Sequence, residues 1–493
     1  MKMQRKNALQ LISGISFILI STWQIFTALA DLDVVTLNDT NPPVTIITPS
    51  DANPASRPTV LIAHGFAGSS VIMRGFVLTL AHAGYTTLSW DFQGHGENSS
   101  SMDPSSRANS LIQDTEAALS AAQTTQLIDT QRIAILGHSM GSGVALSYGV
   151  NHPDTFATIA ISPVNQSVTY DLPKNLLLMA GSLEPQFLAN AEELLISGGG
   201  QGGDLDKGTA RNLVIIPNVE HISILFSPQA HSTARFWLDG TFGIQPGATT
   251  YVDRRIIWFS IGILGFVLVA NSCINLVSPP AHYMTNFRSL WYRICAIFTG
   301  SMAATIILWL VSLIGININQ LFGLLVGGYL VVWFGIAGLT SLLIIRPKIS
   351  RPESRELVKG LIAFVSLWLG VGLLGNFIWL PWLLIPSRLW LVIPCSILLL
   401  PWFLSIGYTS KSAKPTGQLG WWLFQVITIF ICLFIAIQFT PELGFLFIIL
   451  PLVPVMLGLH MLVISPKHGT WAYAISGALF TAWLILAVFP LQQ

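Results

Sequence analysis

Residues 132–146, with the sequence RIAILGHSMGSGVAL, decide the fold of this chain. An apolar run leads into a Gly-x-Ser-x-Gly turn at residues 137–141, and a series of small residues typical of a closely packed helix follows. A strand that ends in such a turn and continues into a helix holds the hydroxyl of the central serine above the edge of a sheet. The glycines allow the strand and the helix to approach closely. The sequence therefore predicts a strand, a sharp turn and a helix, with Ser139 at the tip of the turn.

Similar apolar runs occur on both sides of this stretch and alternate with helical patterns. Runs rich in β-branched residues predict seven strands, at residues 44–48, 59–63, 86–90, 133–136, 158–161, 176–179 and 213–216. Helical patterns such as residues 108–122 lie between most of them. This alternation predicts an α/β domain with a mostly parallel sheet and flanking helices.

The composition shows that the chain has a second, different part. Of 493 residues, 52% are hydrophobic and 10% are charged, whereas soluble proteins carry about 25% charged residues. Residues 256–490 form a near-continuous series of apolar segments, each of roughly 20 residues and thus long enough to cross a bilayer. We therefore expect an N-terminal signal anchor or signal peptide at residues 1–30, the α/β domain at 31–250, and a membrane domain of about eight transmembrane helices at 251–493. Residues 321–345 and 443–464 are two of these predicted spans.

The distribution of lysine and arginine predicts the orientation in the membrane. Lys2, Arg5 and Lys6 precede an apolar stretch that ends in Ala28-Leu29-Ala30, which fits an uncleaved anchor and a cleaved signal peptide alike. Lysine and arginine accumulate in cytoplasmic loops. With the α/β domain outside, the predicted cytoplasmic loops hold Arg288, Arg293, Arg346, Lys348, Arg351, Arg355, Lys359, Lys411, Lys414 and Lys467. Arg254 and Arg255 depart from this rule. We expect a multi-pass protein of the cell membrane with an extracytoplasmic α/β domain.

Several classes of partner and cofactor are not indicated. The formal net charge is +1, and no basic run interleaved with aromatic residues predicts nucleic-acid binding. The four cysteines lie in or beside apolar segments after residue 270, so the α/β domain has no disulfide and no zinc or redox CxxC motif. No His-Glu-x-x-His motif occurs, and we expect neither a metal nor a cofactor. The sequence does not identify protein partners.

Four motifs stand in an order that resembles the α/β-hydrolase superfamily, over about residues 40–240. They are His64-Gly65-Phe66, the stretch DFQGHG at residues 91–96, the turn around Ser139, and the late His221. The resemblance implies a serine nucleophile followed along the chain by an acid and then a histidine. It also implies an activity like that of serine esterases and lipases, with the substrate left open.

The histidine that completes this set has three candidates. A serine hydroxyl needs a base to take its proton, and His152, His221 and His231 follow Ser139 within the domain. His221 comes directly after the last predicted strand, where the fold places its base. His231 falls in a predicted helix, and His152 falls at the end of the helix that follows Ser139. We favour His221.

The acid is assigned from the segment Ser182-Leu183-Glu184-Pro185, which follows a predicted strand and an Ala-Gly pair. It resembles the superfamily's acid segment, with Glu184 where aspartate is commoner. Asp171 is the main rival, whereas Glu192, Glu193 and Glu220 fit a solvent-exposed helix face or a loop. Backbone N–H groups of Met140 and Phe66 are the predicted oxyanion donors.

These expectations combine into one hypothesis about function. The chain is predicted to be a membrane-anchored serine hydrolase that cleaves carboxylic esters, with lipid or cell-envelope esters suited to its location. An acyltransferase with the same three residues is an alternative, because an alcohol can replace water in the second step. A non-catalytic binding domain on a transporter or scaffold is the other alternative.

Overall fold

The computed structural model describes residues 2–50, 56–103, 107–278, 289–411 and 415–492. Two compact units divide the chain. The sheet unit comprises Thr22–Phe259, Gly375–Pro381 and Pro490–Gln493. The helical unit comprises Met1–Ser21, Ser260–Leu374 and Trp382–Phe489.

The sheet unit is built on eight strands in the order β1-β2-β4-β3-β5-β6-β7-β8. The strands are β1 Leu32–Leu37, β2 Val44–Pro49, β3 Pro58–Ala63, β4 Thr86–Trp90, β5 Asp129–His138, β6 Ala157–Ile161, β7 Leu176–Gly181 and β8 Arg211–Ile216. The pairs β1–β2 and β2–β4 are antiparallel, and the remaining pairs are parallel. The predicted mostly parallel sheet is therefore confirmed. The sequence did not predict β1, an edge strand with half of its residues exposed.

Helices cover both faces of this sheet. After α1 Lys2–Thr27 they are α2 Arg74–His82, α3 Arg107–Gln123, α4 Met140–Asn151, α5 Pro185–Ser197 and α6 Pro228–Phe242. In β3, Val60 and Ile62 pack into one hydrophobic cluster while Leu61 and Ala63 pack into another. A strand buried on both faces reads as a continuous apolar run, as parallel strands with helices on both sides do. The sheet is thus the middle layer of three.

In addition to the first part of α1, the helical unit contains ten α-helices in the described residues. They are α7 Arg255–Val277, α8 Leu290–Leu313, α9 Gly327–Ile345, α10 Ser354–Leu367, α11 Pro386–Leu389, α12 Val392–Ser410, α13 Pro415–Phe439, α14 Phe445–Ile449, α15 Leu452–Val463 and α16 Thr470–Val488. The first residues of α7 belong to the sheet unit. A π-helical turn, Trp368–Leu373, continues α10.

Eight helices of the described chain, α1 included, are long and apolar enough to cross a membrane. A ninth span exists if the pair Pro441–Ile449 and Leu452–His468, bent by 51°, crosses as one. The sequence predicted a single span at residues 443–464. The bend falls at Pro451, whose ring nitrogen donates no hydrogen bond to the preceding turn.

The predicted span at residues 321–345 also begins later than expected. Helix α9 starts at Gly327, and the residues before it include Phe322 and Val326 with positive φ values of 59° and 65°. A helix cannot run through residues in this conformation. The apolar composition of the stretch concealed the turn.

Candidate active site

Ser139 lies at the turn between β5 and α4, in a conformation that the surrounding residues enforce. Its φ and ψ are 54° and −118°, and its N–H donates to Ile161 O at 2.9 Å. A Cβ on Gly137 would lie 1.9 Å from Gly141 O, and one on Gly141 would lie 2.4 Å from Ala63 O. Glycine is therefore required on both sides of the serine. The predicted strand, sharp turn and helix are all present.

Three side chains that the sequence singled out are joined by hydrogen bonds at the carboxyl edge of the sheet. The hydroxyl of Ser139 donates to His221 Nε2 at 2.9 Å, and His221 Nδ1 donates to Glu184 Oε2 at 2.8 Å. All three residues are less than 10% exposed. Ser139 follows β5, His221 follows β8 and Glu184 follows β7. Parallel strands bring their carboxyl ends to one edge of the sheet, so the three residues meet there. The Nδ1 bond fixes the tautomer in which Nε2 accepts the serine proton.

The carboxylate of Glu184 is held by two further donors. Its Oε1 accepts hydrogen bonds from Ser162 Oγ at 2.7 Å and from Gly181 N at 2.5 Å. Burial raises the pKa of Glu184, and these two bonds act in the opposite direction because they favour the charged form. The sequence analysis did not identify Ser162. Its signal was a polar residue directly after the buried strand β6, at the same edge as Ser139.

The ring of His221 packs against the rings of Phe187 and His138, two residues that the sequence analysis also missed. Phe187 stacks on it with ring centres 4.1 Å apart, and His138 Nε2 donates to the His221 carbonyl oxygen at 2.9 Å. Burial lowers the pKa of His221 to about 4, although the nearby Glu220 carboxylate opposes the shift. Burial likewise lowers the pKa of His138 to about 3. His221 is therefore neutral near pH 7 and able to accept a proton.

The two predicted oxyanion donors lie beside Ser139. Met140 is the first residue of α4, where backbone N–H groups have no partner within the helix and carry a partial positive charge. Phe66 follows β3 in a loop that passes close to the serine, since a Cβ on Gly65 would be 3.2 Å from Ser139 Cβ. The segments that carry the two predicted donors therefore both adjoin Ser139.

His64 connects this loop to the one that follows β4. Its Nδ1 donates to Gly65 O at 2.8 Å, and its Nε2 accepts the N–H of Phe92 at 3.0 Å. Both ring nitrogens are therefore used in binding backbone. His95 packs edge-on against the rings of His64 and Phe66.

The alternative residues lie elsewhere. His231 is buried in α6, where its Nε2 bonds Leu225 O at 2.9 Å, and His152 bonds Tyr148 O at 3.0 Å at the end of α4. Asp171 is exposed and precedes β7, so it lies at the amino edge of the parallel sheet, opposite Ser139. In the described part of the chain, none of the three forms a hydrogen bond with Ser139 or His221.

An apolar cavity of about 400 Å³ opens beside Met140. Helices α3 and α4 form two of its walls, and the segment after Ser162 forms a third. It is lined by Ala108, Leu111, Ile112, Met140, Gly143, Val144, Ser147, Val164 and Gln166. Seven of these nine residues carry no polar side-chain group, so the cavity suits an aliphatic chain more than a charged group.

One family model matches part of the sheet unit. Residues 54–196 match the family model described as serine aminopeptidase, S33. A thermostable monoacylglycerol lipase from Bacillus sp. (strain H-257) is 31% identical over 130 residues, which are 26% of this chain and 48% of that protein. An uncharacterized 31.7 kDa protein from the traX-finO intergenic region of Escherichia coli is 29% identical over 94 residues, which are 18% of this chain and 32% of that protein. The chain thus spans a third to about half of these relatives.

Solved structures of similar fold align with less than half of the chain. A membrane phospholipase A, described as a bacterial virulence factor, is 15% identical and aligns with 49% of this chain and 99% of its own, with a TM-score of 0.32. A soluble variant of monoglyceride lipase from Saccharomyces cerevisiae is 15% identical and aligns with 44% of this chain and 96% of its own, with a TM-score of 0.31. The family match over residues 54–196, the mostly parallel sheet and the strand–turn–helix at Ser139 together show that the sheet unit has the α/β-hydrolase fold.

Proposed function

We propose that this chain is a membrane-anchored serine hydrolase that cleaves carboxylic esters through an acyl-enzyme. The observation that carries the proposal is the continuous series of hydrogen bonds from Glu184 through His221 to the hydroxyl of Ser139. In this series the serine is the nucleophile, the neutral imidazole is the base, and the carboxylate orients and later stabilises the imidazolium.

The first half of the reaction transfers the acyl group to the enzyme. Ser139 Oγ attacks the ester carbonyl carbon while its proton moves to His221 Nε2. The resulting oxyanion accepts hydrogen bonds from the N–H groups of Met140 and Phe66. The tetrahedral intermediate collapses, the bond to the alkoxide oxygen breaks, and the proton on His221 Nε2 passes to the departing alcohol.

Water completes the cycle by the same route. His221 takes a proton from a water molecule, whose oxygen attacks the carbonyl carbon of the acyl-enzyme. Collapse of the second tetrahedral intermediate breaks the bond to Ser139 Oγ, and His221 returns its proton to that oxygen. The carboxylic acid leaves, and the enzyme regains its starting protonation state.

The apolar cavity supports an ester with an aliphatic acyl group. Met140 belongs both to the proposed oxyanion site and to the cavity wall, so a chain attached to the reacting carbonyl has apolar residues next to it. Burying each methylene group contributes about 0.8 kcal/mol. The similarity to a monoacylglycerol lipase over 130 residues agrees with a lipid-like ester.

The direct test uses the nucleophile. Ser139→Ala is expected to abolish labelling by a fluorophosphonate probe and to lower p-nitrophenyl ester turnover by several powers of ten. The full-length protein is purified in detergent. Its unfolding temperature is measured to check that the variant is folded, because alanine at this position must adopt the same positive φ as Ser139. Labelling at the wild-type rate in a folded Ser139→Ala variant would refute the proposal. Release of an acylated alcohol in place of free acid would favour the acyltransferase alternative.

We further infer that the sheet unit is extracytoplasmic and that the chain crosses the cell membrane several times. The charged segment between α9 and α10, which contains Arg346, Lys348 and Arg351, supports this orientation by its basic character. Arg288 and Lys414, predicted for other cytoplasmic loops, lie outside the described residues. Arg255, which departed from the rule, forms a buried ion pair with Asp253 at 2.6 Å, so its charge is neutralised locally.

Contacts inside the sheet unit give further support for this topology. Arg255 Nη1 donates to Phe377 O at 2.7 Å, and Leu491 exchanges backbone bonds with Gly94 and Met102 at 2.8 and 3.0 Å. These contacts support the proposal that the segments after the span Ser354–Phe377 and after α16 lie on the same side of the membrane as the start of α7. Strict alternation of the spans gives this result when the bent pair Pro441–Ile449 and Leu452–His468 counts as one crossing.

A further inference from the structure

The helical unit contains a cavity of about 500 Å³ that the proposed hydrolase reaction does not use. It lies at the end of the unit where α8, α10 and α16 begin and where α9 and α12 end. Its volume falls within the range of about 300–1,000 Å³ that is typical of ligand sites. All of its lining residues belong to the helical unit.

Positive charge dominates the lining of this basic cavity. Arg293, Arg346, Lys348 and Lys411 line it, against the single carboxylate of Glu356. Arg293 and Lys411 are half-buried, while Arg346 and Lys348 are exposed. Four like charges around one space repel each other, and a bound anion that accepts their hydrogen bonds relieves the repulsion.

Hydrogen bonds hold the segments that carry these charges. Tyr292 OH donates to Ile344 O at 2.5 Å, and Trp471 Nε1 donates to Ser350 O at 2.7 Å. These bonds attach both ends of the segment 344–350 to α8 and to α16. Arg293 Nη1 donates to Thr409 O, which links α8 to the end of α12. The cavity is thus built from fixed segments that are distant in the sequence.

The general excess of cations in cytoplasmic loops does not account for this arrangement. Arg351 and Arg355 follow in the same stretch of chain, are exposed, and do not line the cavity. Orientation in the membrane requires cations on one side but does not require them to converge. Convergence from α8, from the segment after α9 and from the end of α12 is characteristic of a binding site for an anion.

We propose that the basic cavity binds a phosphate group, carried either by the headgroup of an anionic phospholipid or by a free phosphate compound. Arginine guanidinium groups bind phosphate oxygens in pairs, and lysine ammonium groups add point charges. Tyr292, Tyr408 and Trp471 also line the cavity, and such aromatic residues are common at the level of lipid headgroups. Basic pockets between membrane helices bind anionic headgroups in this way.

The test compares two double variants of the full-length protein in detergent. R346Q/K348Q removes two charges from the cavity wall, whereas R351Q/R355Q removes two charges from the same stretch outside it. Native mass spectrometry measures binding of phosphatidylglycerol and of zwitterionic phosphatidylcholine. Titration calorimetry measures binding of glycerol 1-phosphate and inorganic phosphate. The wild type is expected to bind a phosphate-bearing anion more tightly than phosphatidylcholine.

R346Q/K348Q is expected to weaken that binding by about 10- to 30-fold, and R351Q/R355Q by less than about threefold. Binding of phosphatidylglycerol alone identifies a lipid as the source of the phosphate, and binding of the soluble phosphates alone identifies a free compound. The proposal would be overturned if the protein bound both lipids with equal affinity and bound no soluble phosphate. It would also be overturned if the two double variants lost binding affinity to the same extent. If R346Q/K348Q lowers the unfolding temperature, the exposed single change Lys348→Gln replaces it, with Arg351→Gln as its control.

Discussion

Replacing Glu184 by glutamine tests the proposed acid without changing its size. The oxygen Oε1 accepts the hydroxyl of Ser162 and the N–H of Gly181, and Oε2 accepts His221 Nδ1. If the glutamine oxygen keeps the first two bonds, its NH2 group faces Nδ1 and forces the proton onto Nε2. The ring then cannot accept the proton of Ser139.

The other rotamer of the glutamine has its own cost. Its NH2 group would face the N–H of Gly181 at the position where Oε1 now lies, 2.5 Å away, leaving a buried donor without an acceptor. A buried donor without an acceptor costs about 1–3 kcal/mol. The rotamer that leaves His221 Nε2 able to accept the serine proton is therefore populated in only roughly one molecule in five to one in 150. The lost negative charge no longer stabilises the imidazolium. Together these effects predict that kcat falls by about 10²- to 10⁴-fold.

Steady-state kinetics with a p-nitrophenyl ester and the rate of fluorophosphonate labelling measure this effect. KM is expected to change little, because Glu184 acts through His221 and not through the substrate. Asp171→Asn is the control, since that carboxylate is exposed at the opposite edge of the sheet. Loss of activity in Asp171→Asn, with Glu184→Gln active, would refute the reasoning and move the acid to Asp171.

Three further predictions concern pH, chain length and topology. His221 must be neutral to act as a base, and burial lowers its pKa to about 4, so kcat/KM should stay high at pH 6 and fall only as the pH approaches 4. A loss of kcat/KM that already sets in at or above the ordinary histidine pKa of about 6.5 would contradict this. Ile112→Trp fills part of the apolar cavity and should lower kcat/KM for long p-nitrophenyl esters by about tenfold, with little change for p-nitrophenyl acetate. Equal losses for all chain lengths would show that the cavity does not bind the acyl chain. A reporter active only in the cytoplasm should be silent when fused near Gly247 and active near Glu353, and a signal at Gly247 would reverse the proposed orientation.

The sequence predicted most of the sheet because its parallel strands are buried on both faces. The runs that became β3, β6 and β7 contain few polar residues, and all of their residues are buried. The edge strand β1 has the sequence LDVVTL and three exposed positions, so it lacks such a run. Its pairing with β2 depends on the neighbouring strand more than on its own composition.

Some residues of the candidate site could be predicted from the sequence and others could not. Ser139, Glu184 and His221 each follow a strand that the sequence predicts, and the parallel topology alone brings such positions to one edge. Ser162 also follows a predicted strand, but its bond to Glu184 and the stacking of Phe187 on His221 depend on how loops and α5 pack after the sheet has formed. Sequence spacing contains no information on those packing distances.

Glutamate at the acid position, where the superfamily pattern more often has aspartate, is explained by its surroundings. Glu184 directly precedes α5, and its side chain turns back so that Oε1 meets the N–H of Gly181, three residues earlier. A longer side chain loses more rotamer freedom when it is fixed. The two bonds to Oε1 offset that loss and leave Oε2 free to accept His221 Nδ1. The proposed acid therefore acts together with Ser162, and its orientation depends on a hydroxyl that lies 22 residues earlier in the chain.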